Sequence, residues 1–490
     1  MNVEKTFFFL FTGWWLLFSI SSGCAPQKKY DYHAVKAVHS EVKKESTSSP
    51  APVPPKSPEK LPDKWTIKGV IRFALDNNPD IDMAIARIRQ SEAMIDEALA
   101  SFWPAFSVYG DYLQGDAPSA YFFKTIDQRR LTPGVNFNDP GWFENYEIGF
   151  RGKFNIFNGG RDYLHKRMAE TGVGIHALDR ESIENGLITS IIHAYFNVLA
   201  AKDYIRITQE SVDTVEKQLG VLDVQYNAGG ALKSDLLSMK VRLAQARENL
   251  VRAENNHSLS LAALANLLGL DPDTNLNLSE GERMDAPFPS EYGEGLVQAL
   301  AHRPDLQKIR LQIIQSQMAL DVARSEYLPK LDARFNYYLD APNLDFDADL
   351  ANWTAGIILN WDVFTGFSTK SKVKKAKSVI DEMLAADRKS VQFIQLDLKT
   401  AFLKLEEAKA SLAVGEASVA QAEESLRLVK KQYTGGSETI TRYLEAETTR
   451  NRARIRVTAA YYDREKSMAN LGRALGYWGR YAKEVTTTNE

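Results

Sequence analysis

Apolar residues along this chain follow two different periods. Tyr146, Ile148, Phe150, Phe154 and Ile156 are separated by the polar Glu147, Arg151, Lys153 and Asn155. Leu331, Ala333, Phe335, Tyr337 and Leu339 alternate with Asp332, Arg334, Asn336 and Asp340, and Trp353, Ala355, Ile357, Leu359 and Trp361 follow the same rule. Phe106, Val108 and Tyr112 open a further segment of this kind. A period of two puts successive side chains on opposite faces of a strand. Each strand then has an aromatic-rich apolar face and a charged one, as in an outer-membrane β-barrel with lipid outside and water inside. A soluble amphipathic sheet carries the same alternation, so the period alone leaves both open.

Between the strand pairs the period changes to seven. Val198, Ile205, Val212, Leu219 and Tyr226 form one row, and Leu405, Leu412, Val419, Leu426 and Tyr433 form another. A companion row is mostly small: Ala194, Ala201, Thr208, Val215 and Leu222 in the first stretch, Ala401, Ala408, Gly415, Ala422 and Val429 in the second. Such rows suit closely packed helices. No proline lies between Gly141 and Asp271 or after Pro342, so nothing forces a break. Helices of about 65 residues would reach roughly 100 Å at 1.5 Å per residue. The chain reverses at Gly229-Gly230 and at Gly435-Gly436, after which Leu236, Leu243 and Leu250 with Met239, Ala246 and Ala253 resume a heptad pattern.

These features occur twice. Residues 74–113 align with 299–338 at an offset of 225, pairing Pro79-Asp80 with Pro304-Asp305 and Pro104 with Pro329. From Gly149 and Gly356 to Leu268-Gly269 and Leu475-Gly476 the offset is 207, so the first copy holds 18 additional residues, all within 105–145. An internal duplication of this kind defines the architecture.

The N-terminus reads as an export signal. Lys5 precedes the apolar run from Phe7 to Phe18, which is short for a membrane span, and Ile20-Ser21-Ser22-Gly23-Cys24 resembles a bacterial lipobox. Cys24 is the only cysteine, which excludes internal disulfides and thiolate zinc clusters and makes it the candidate lipid-attachment residue. Ala25 stands where retained inner-membrane lipoproteins typically have aspartate, so outer-membrane delivery is expected. Residues 46–62 contain six prolines among Ser, Thr, Lys and Glu, the composition of an extended tether. The expected layout is a signal peptide at 1–23, anchor and tether at 24–63, a first repeat at 64–270, a linker at 271–292, a second repeat at 293–478 and a tail at 479–490.

Four strands per chain cannot close a membrane barrel, because open edges in lipid leave backbone groups unpaired. Two chains give eight strands and a filled interior, whereas three give twelve and begin to leave a lumen. The fold expected is an α+β membrane protein, a trimeric twelve-stranded β-barrel continued by a long α-helical barrel.

The duplicated strand pair and helical hairpin, the Asn78-Pro79-Asp80 and Arg303-Pro304-Asp305 turns, the strand exits Phe157-Asn158-Gly159-Gly160 and Phe364-Thr365-Gly366, and the glycine turns after Tyr226 and Tyr433 together resemble the TolC family of outer-membrane ducts. That resemblance spans about 64–478. It implies a homotrimer in outer-membrane lipid, a periplasmic tunnel closed at its far end, and docking by a periplasmic adaptor and an inner-membrane transporter of RND or ABC type. It also implies gate residues at the tip. Tyr433 matches the gate tyrosine, and Ser234 with Asp235 match a polar pair on the outer hairpin. Glu438 stands where some members have an arginine, and would face Asp235 with like charge. Arg442 and Glu445 stand where some members place a ring of aspartates, giving a mixed ring here. Gly229, Gly230, Gly435, Gly436 and Ser437 match the tips that meet the adaptor. A solvated helix face is the plain alternative for the charges.

A net charge of −3, from 60 basic and 63 acidic residues, offers no field to gather nucleic acid. Seven scattered histidines and the absence of nucleophile-elbow, Walker A, zincin or Rossmann patterns leave an enzyme without support, and no cofactor or metal is expected. The remaining alternative is a lipid-anchored periplasmic coiled coil that braces the envelope. It accounts for the heptads and Cys24 but not for four duplicated amphipathic strands.

Overall fold

The computed structural model describes residues 62–283 and 286–487; the expected signal peptide, Cys24 and nearly all of the expected tether lie outside the described residues. The first copy comprises α1 (Ile67–Asn77), α2 (Pro79–Ala100), β1 (Ala105–Gly115), α3 (Pro118–Asp127), β2 (Phe143–Phe157), α4 (Arg161–Asn227) and α5 (Lys233–Leu267). The second comprises α6 (Tyr292–His302), α7 (Pro304–Ser325), β3 (Lys330–Ala341), β4 (Ala351–Asn360), α8 (Ser368–Thr434) and α9 (Ile440–Ala474), and α10 (Tyr477–Thr487) follows. Corresponding helices have equal lengths in the two copies: 11, 22, 67 and 35 residues. The 67-residue helices extend about 100 Å. Among the described residues no helix is long and apolar enough to cross a membrane.

Each copy closes on its own start. Asn78 caps α2 by accepting from the Asp80 N–H at 2.8 Å and donates its side-chain amide to the Leu267 carbonyl at 2.9 Å, joining the start of the first copy to the end of α5. In the second copy the buried Arg303 guanidinium does the joining, with Asp305 at 2.7 Å, Asp397 at 2.6 Å and the Ala474 carbonyl at 3.5 Å. The duplicated Leu-Gly pairs sit against these turns. A Cβ on Gly269 would lie 2.8 Å from the Asn77 carbonyl oxygen, and one on Gly476 would lie 3.1 Å from that of His302.

The main core forms where α1, α4, the end of α5, α9 and α10 meet, around Trp65, Ile71, Tyr195, Phe196, Leu264 and Trp478. The segment beyond 478 continues as helix to Thr487, with Ala482 buried and Lys483 paired to Glu181 of α4 at 2.6 Å. The small companion rows are the more buried ones along the long helices: Ala401, Ala408, Gly415, Ala422 and Val429 are all buried, and a Cβ on Gly415 would meet the Val457 backbone at 3.3 Å.

The four strands form one antiparallel meander in the order β1-β2-β3-β4. Val108 lies opposite Phe150, Ile148 opposite Leu339 and Ala333 opposite Ile357, so the apolar residues share a face. That face is bare: Val108, Trp353 and Ile357 expose 73%, 68% and 69% of their surface. Among the described residues the outer edges of β1 and β4 have no strand partner. The insertion in the first copy is α3 with its flanking loops, where β3 and β4 are joined only by a short turn around Ala348–Leu350. The helix rests on the polar face of the sheet. Lys124 reaches Glu147 and Asp340, Gln128 reaches Asn145 at 2.8 Å, and Tyr338 donates to Asp127 at 3.4 Å.

Candidate functional site

The sheet lies at one end of the molecule's long helices and the glycine turns at the other. Both turns are built alike. Gly229 and Gly436 adopt φ of 78° and 76°, a left-handed conformation that glycine reaches without a Cβ clash. The following N–H groups, of Gly230 and Ser437, donate to the carbonyls of Gln225 and Gln432 at 2.8 and 3.0 Å. This six-residue closure satisfies helix-end carbonyls and reverses the chain. Gly230 and Gly435 need no positive φ, so each pair has one obligatory glycine.

Just inside the turns all four long helices share a core of Val212, Val215 and Leu222 (α4), Met239 and Leu243 (α5), Val429 (α8), and Ile440 and Tyr443 (α9). Tyr433 packs on its edge, stacked on Tyr443 with ring centroids 5.6 Å apart and planes at 19°. Burial and then the nearby Asp235 carboxylate raise the Tyr433 phenol above its ordinary pKa. Within one chain the Tyr433 phenol thus comes near Asp235, while Ser234 bonds locally to Asp235 at 3.4 Å.

The charged residues settle close to home. Glu438 accepts from the Thr439 N–H at 3.3 Å. Thr439 caps α9 by accepting from the Arg442 N–H at 3.3 Å, and the exposed Arg442 and Glu445 side chains pair with each other at 3.4 Å. An exposed pair three residues apart contributes only a few tenths of a kcal/mol, about 0.3.

One cluster escaped the sequence reading. Glu447 of α9 is fully buried, between Arg242 of α5 and Arg450, and burial raises its pKa against the opposing pull of both arginines. Arg242 also donates to Thr448, tying the two hairpins together. The spacing Ile440, Tyr443, Glu447 places the acid on the buried stripe, which was the available signal. Farther along, Tyr462 donates to Asp203 at 2.8 Å and Asn451 to Ser211 at 3.0 Å, fixing α9 against α4. Among the described residues there is no group of acids and histidines that could hold a metal ion.

Comparison with known proteins fits this geometry. A profile described as outer membrane efflux protein matches residues 70–270 and 295–477, the two copies. The pyoverdine export outer membrane protein OpmQ of Pseudomonas aeruginosa is 23% identical over 84% of this chain and 85% of its own length. The probable outer membrane lipoprotein SilC of Salmonella typhimurium is 19% identical over 84% and 85%. The Campylobacter jejuni CmeC outer membrane channel superposes with a TM-score of 0.75 at 18% identity, covering 86% of this chain and 90% of that one.

Four strands with two free edges, an outward apolar face and this fold make a barrel shared between chains: three of them supply twelve strands. The periplasmic brace is set aside, because a brace has no use for such a sheet. With both copies matched by the family profile, the chain belongs to the outer membrane efflux protein family, whose members are outer-membrane channels and not enzymes.

Proposed function

We propose that this channel is the exit duct of an envelope-spanning export assembly, held to the outer membrane by lipid on Cys24 as well as by its strands. A periplasmic adaptor contacts the tips at Gly229, Gly230, Gly435, Gly436 and Ser437, and an inner-membrane pump of RND or ABC type delivers the cargo. The lipid anchor rests on the sequence around Cys24 and on likeness to a relative named as a lipoprotein. The observation that carries the gate is the shared four-helix core beneath two equivalent turns, with Tyr433 stacked on Tyr443 at its edge. Tyr433, Ser234, Asp235, Glu438, Arg442 and Glu445 surround this closure. The layout of signal peptide, tether, two repeats, linker and tail belongs to the same reading.

Native mass spectrometry of protein extracted from outer membranes tests the assembly. A mass of three chains, each carrying lipid, is expected; a lipidated monomer would sink the shared duct. Single-channel recording tests the gate: combining Tyr433→Phe with Glu445→Ala should raise conductance several-fold, and conductance equal to the parent's would remove these residues from the gate.

A further inference from the structure

The polar face of the sheet carries a group of cations that the ion pairs of the fold do not consume. Arg151 and Lys153 of β2 and Arg334 of β3 point to that face, and Lys153 lies directly opposite Arg334 in the ladder. Like charges in direct cross-strand register are unfavourable, so a sheet built for stability alone would avoid the pair. Arg151 donates to Asn336 at 3.2 Å and stacks over the Tyr109 ring at 4.5 Å, which fixes its guanidinium in place. Among the described residues none of the three forms an ion pair. On the flanking strands the register positions are Ala105 and Ser107 of β1 and Gly356 and Thr354 of β4, none of them acidic. Asp332, two residues from Arg334 on the same face, is the nearest acid along the strand.

The three cations line a cavity of about 590 Å³ between the sheet and α3. Its wall also includes Lys124 and Asp127 of α3 and Glu147, giving four cations against two carboxylates. Both carboxylates have partners: Glu147 is held by Lys124 at 2.5 Å and Tyr109 at 2.6 Å, and Asp127 accepts from Tyr338. The volume suits a small molecule.

We propose that Arg151, Lys153 and Arg334 form a luminal binding station for molecules bearing several oxyanion groups, carboxylate, sulfonate or phosphate, on their way out beneath α3. This deepens the duct reading and rests on it, since only barrel closure makes the polar face a lumen. Three chains bring nine such cations to two neighbouring levels of the barrel wall. A charged wall around a narrow lumen concentrates counter-ions, by about 10-fold or more, and guanidinium groups bind oxyanions in a fixed two-pronged geometry.

The test uses the detergent-purified full-length assembly and a trisulfonated pyrene dye followed by fluorescence anisotropy. Saturable binding that weakens steeply with salt is expected. The triple change Arg151→Gln, Lys153→Gln, Arg334→Gln should weaken it at least about tenfold, while Lys404→Gln with Lys409→Gln, on exposed α8, should leave it unchanged. Equal dye affinity in the triple variant, or none in the parent, overturns the station. Single-channel recording of the same parent preparation separates the two failures. Channels that open without dye binding refute only the station, whereas no channels and no binding refute the duct as well.

Discussion

Lys124, on the helix inserted between β1 and β2, bridges carboxylates on two neighbouring strands: Glu147 at 2.5 Å and the fully buried Asp340 at 2.9 Å. Asp340 also accepts from Asn145 at 2.6 Å. Removing the cation leaves Asp340 buried without its counter-charge, which is expensive. Lys124→Met should loosen α3 from the sheet by about 2 kcal/mol per chain, read as faster hydrogen exchange over residues 118–127. Exchange unchanged from the parent would mean that the bridge does not hold the helix.

Geometry makes that helix an obstacle. Twelve strands about 4.8 Å apart and tilted about 40° make a cylinder roughly 24 Å across between backbones. Three helices, each about 10 Å wide, laid against its inner wall fill most of that width. Replacing residues 116–142 by the shorter connection 342–350 of the second copy should raise single-channel conductance several-fold. No increase would place the narrowest point of the conduit elsewhere.

Glu447 should make the stability of the tip depend on pH. Burial raises its native pKa above that of the unfolded chain, so between those two values the folded state holds more protons. Stability from this site is therefore greatest in mild acid and declines as pH rises through the window. Glu447→Gln should flatten the pH dependence of thermal stability and stabilise the tip mainly at neutral pH and above. A Gln variant with the parent's pH profile would show that Glu447 titrates alike in the folded and unfolded chain.

The two Leu-Gly closures should respond alike. Gly269→Ala puts a Cβ 2.8 Å from a backbone oxygen at a positive φ of 71°, and Gly476→Ala meets backbone at 3.1 Å with the same φ. Each should cost about 1–3 kcal/mol, seen as a lower unfolding temperature. A neutral result at both sites would mean that the turns relax freely.

Much of this was legible beforehand. The period-two runs gave the four strands and their faces, and the constant offset of 207 anticipated helices of equal length in both copies. The insertion at 105–145 was visible as an interruption of that offset, but not as a luminal helix. Tyr121, Phe122 and Phe123 are adjacent rather than periodic, and what docks α3 is Lys124 meeting Asp340, 216 residues away. At the tip, family likeness named Tyr433, Ser234 and Asp235 without stating their contact, whereas the charges at 438, 442 and 445 could not be paired from sequence because each chose a partner within its own turn. Glu447 was missed because an acid on a buried stripe is read first as part of a solvated face.

The insertion of α3 into one copy alone has a consequence for symmetry. Hairpins of equal length, two per chain, give the assembled tunnel six ends alike in backbone, which differ in side chains: Ala231, Lys233 and Asp235 in one stand where Glu438, Ile440 and Arg442 stand in the other. The opposite mouth has only three inserted helices. The object therefore passes from pseudo-sixfold at one end to strictly threefold at the other, and a molecule leaving along the axis meets three identical cationic walls where it entered between six.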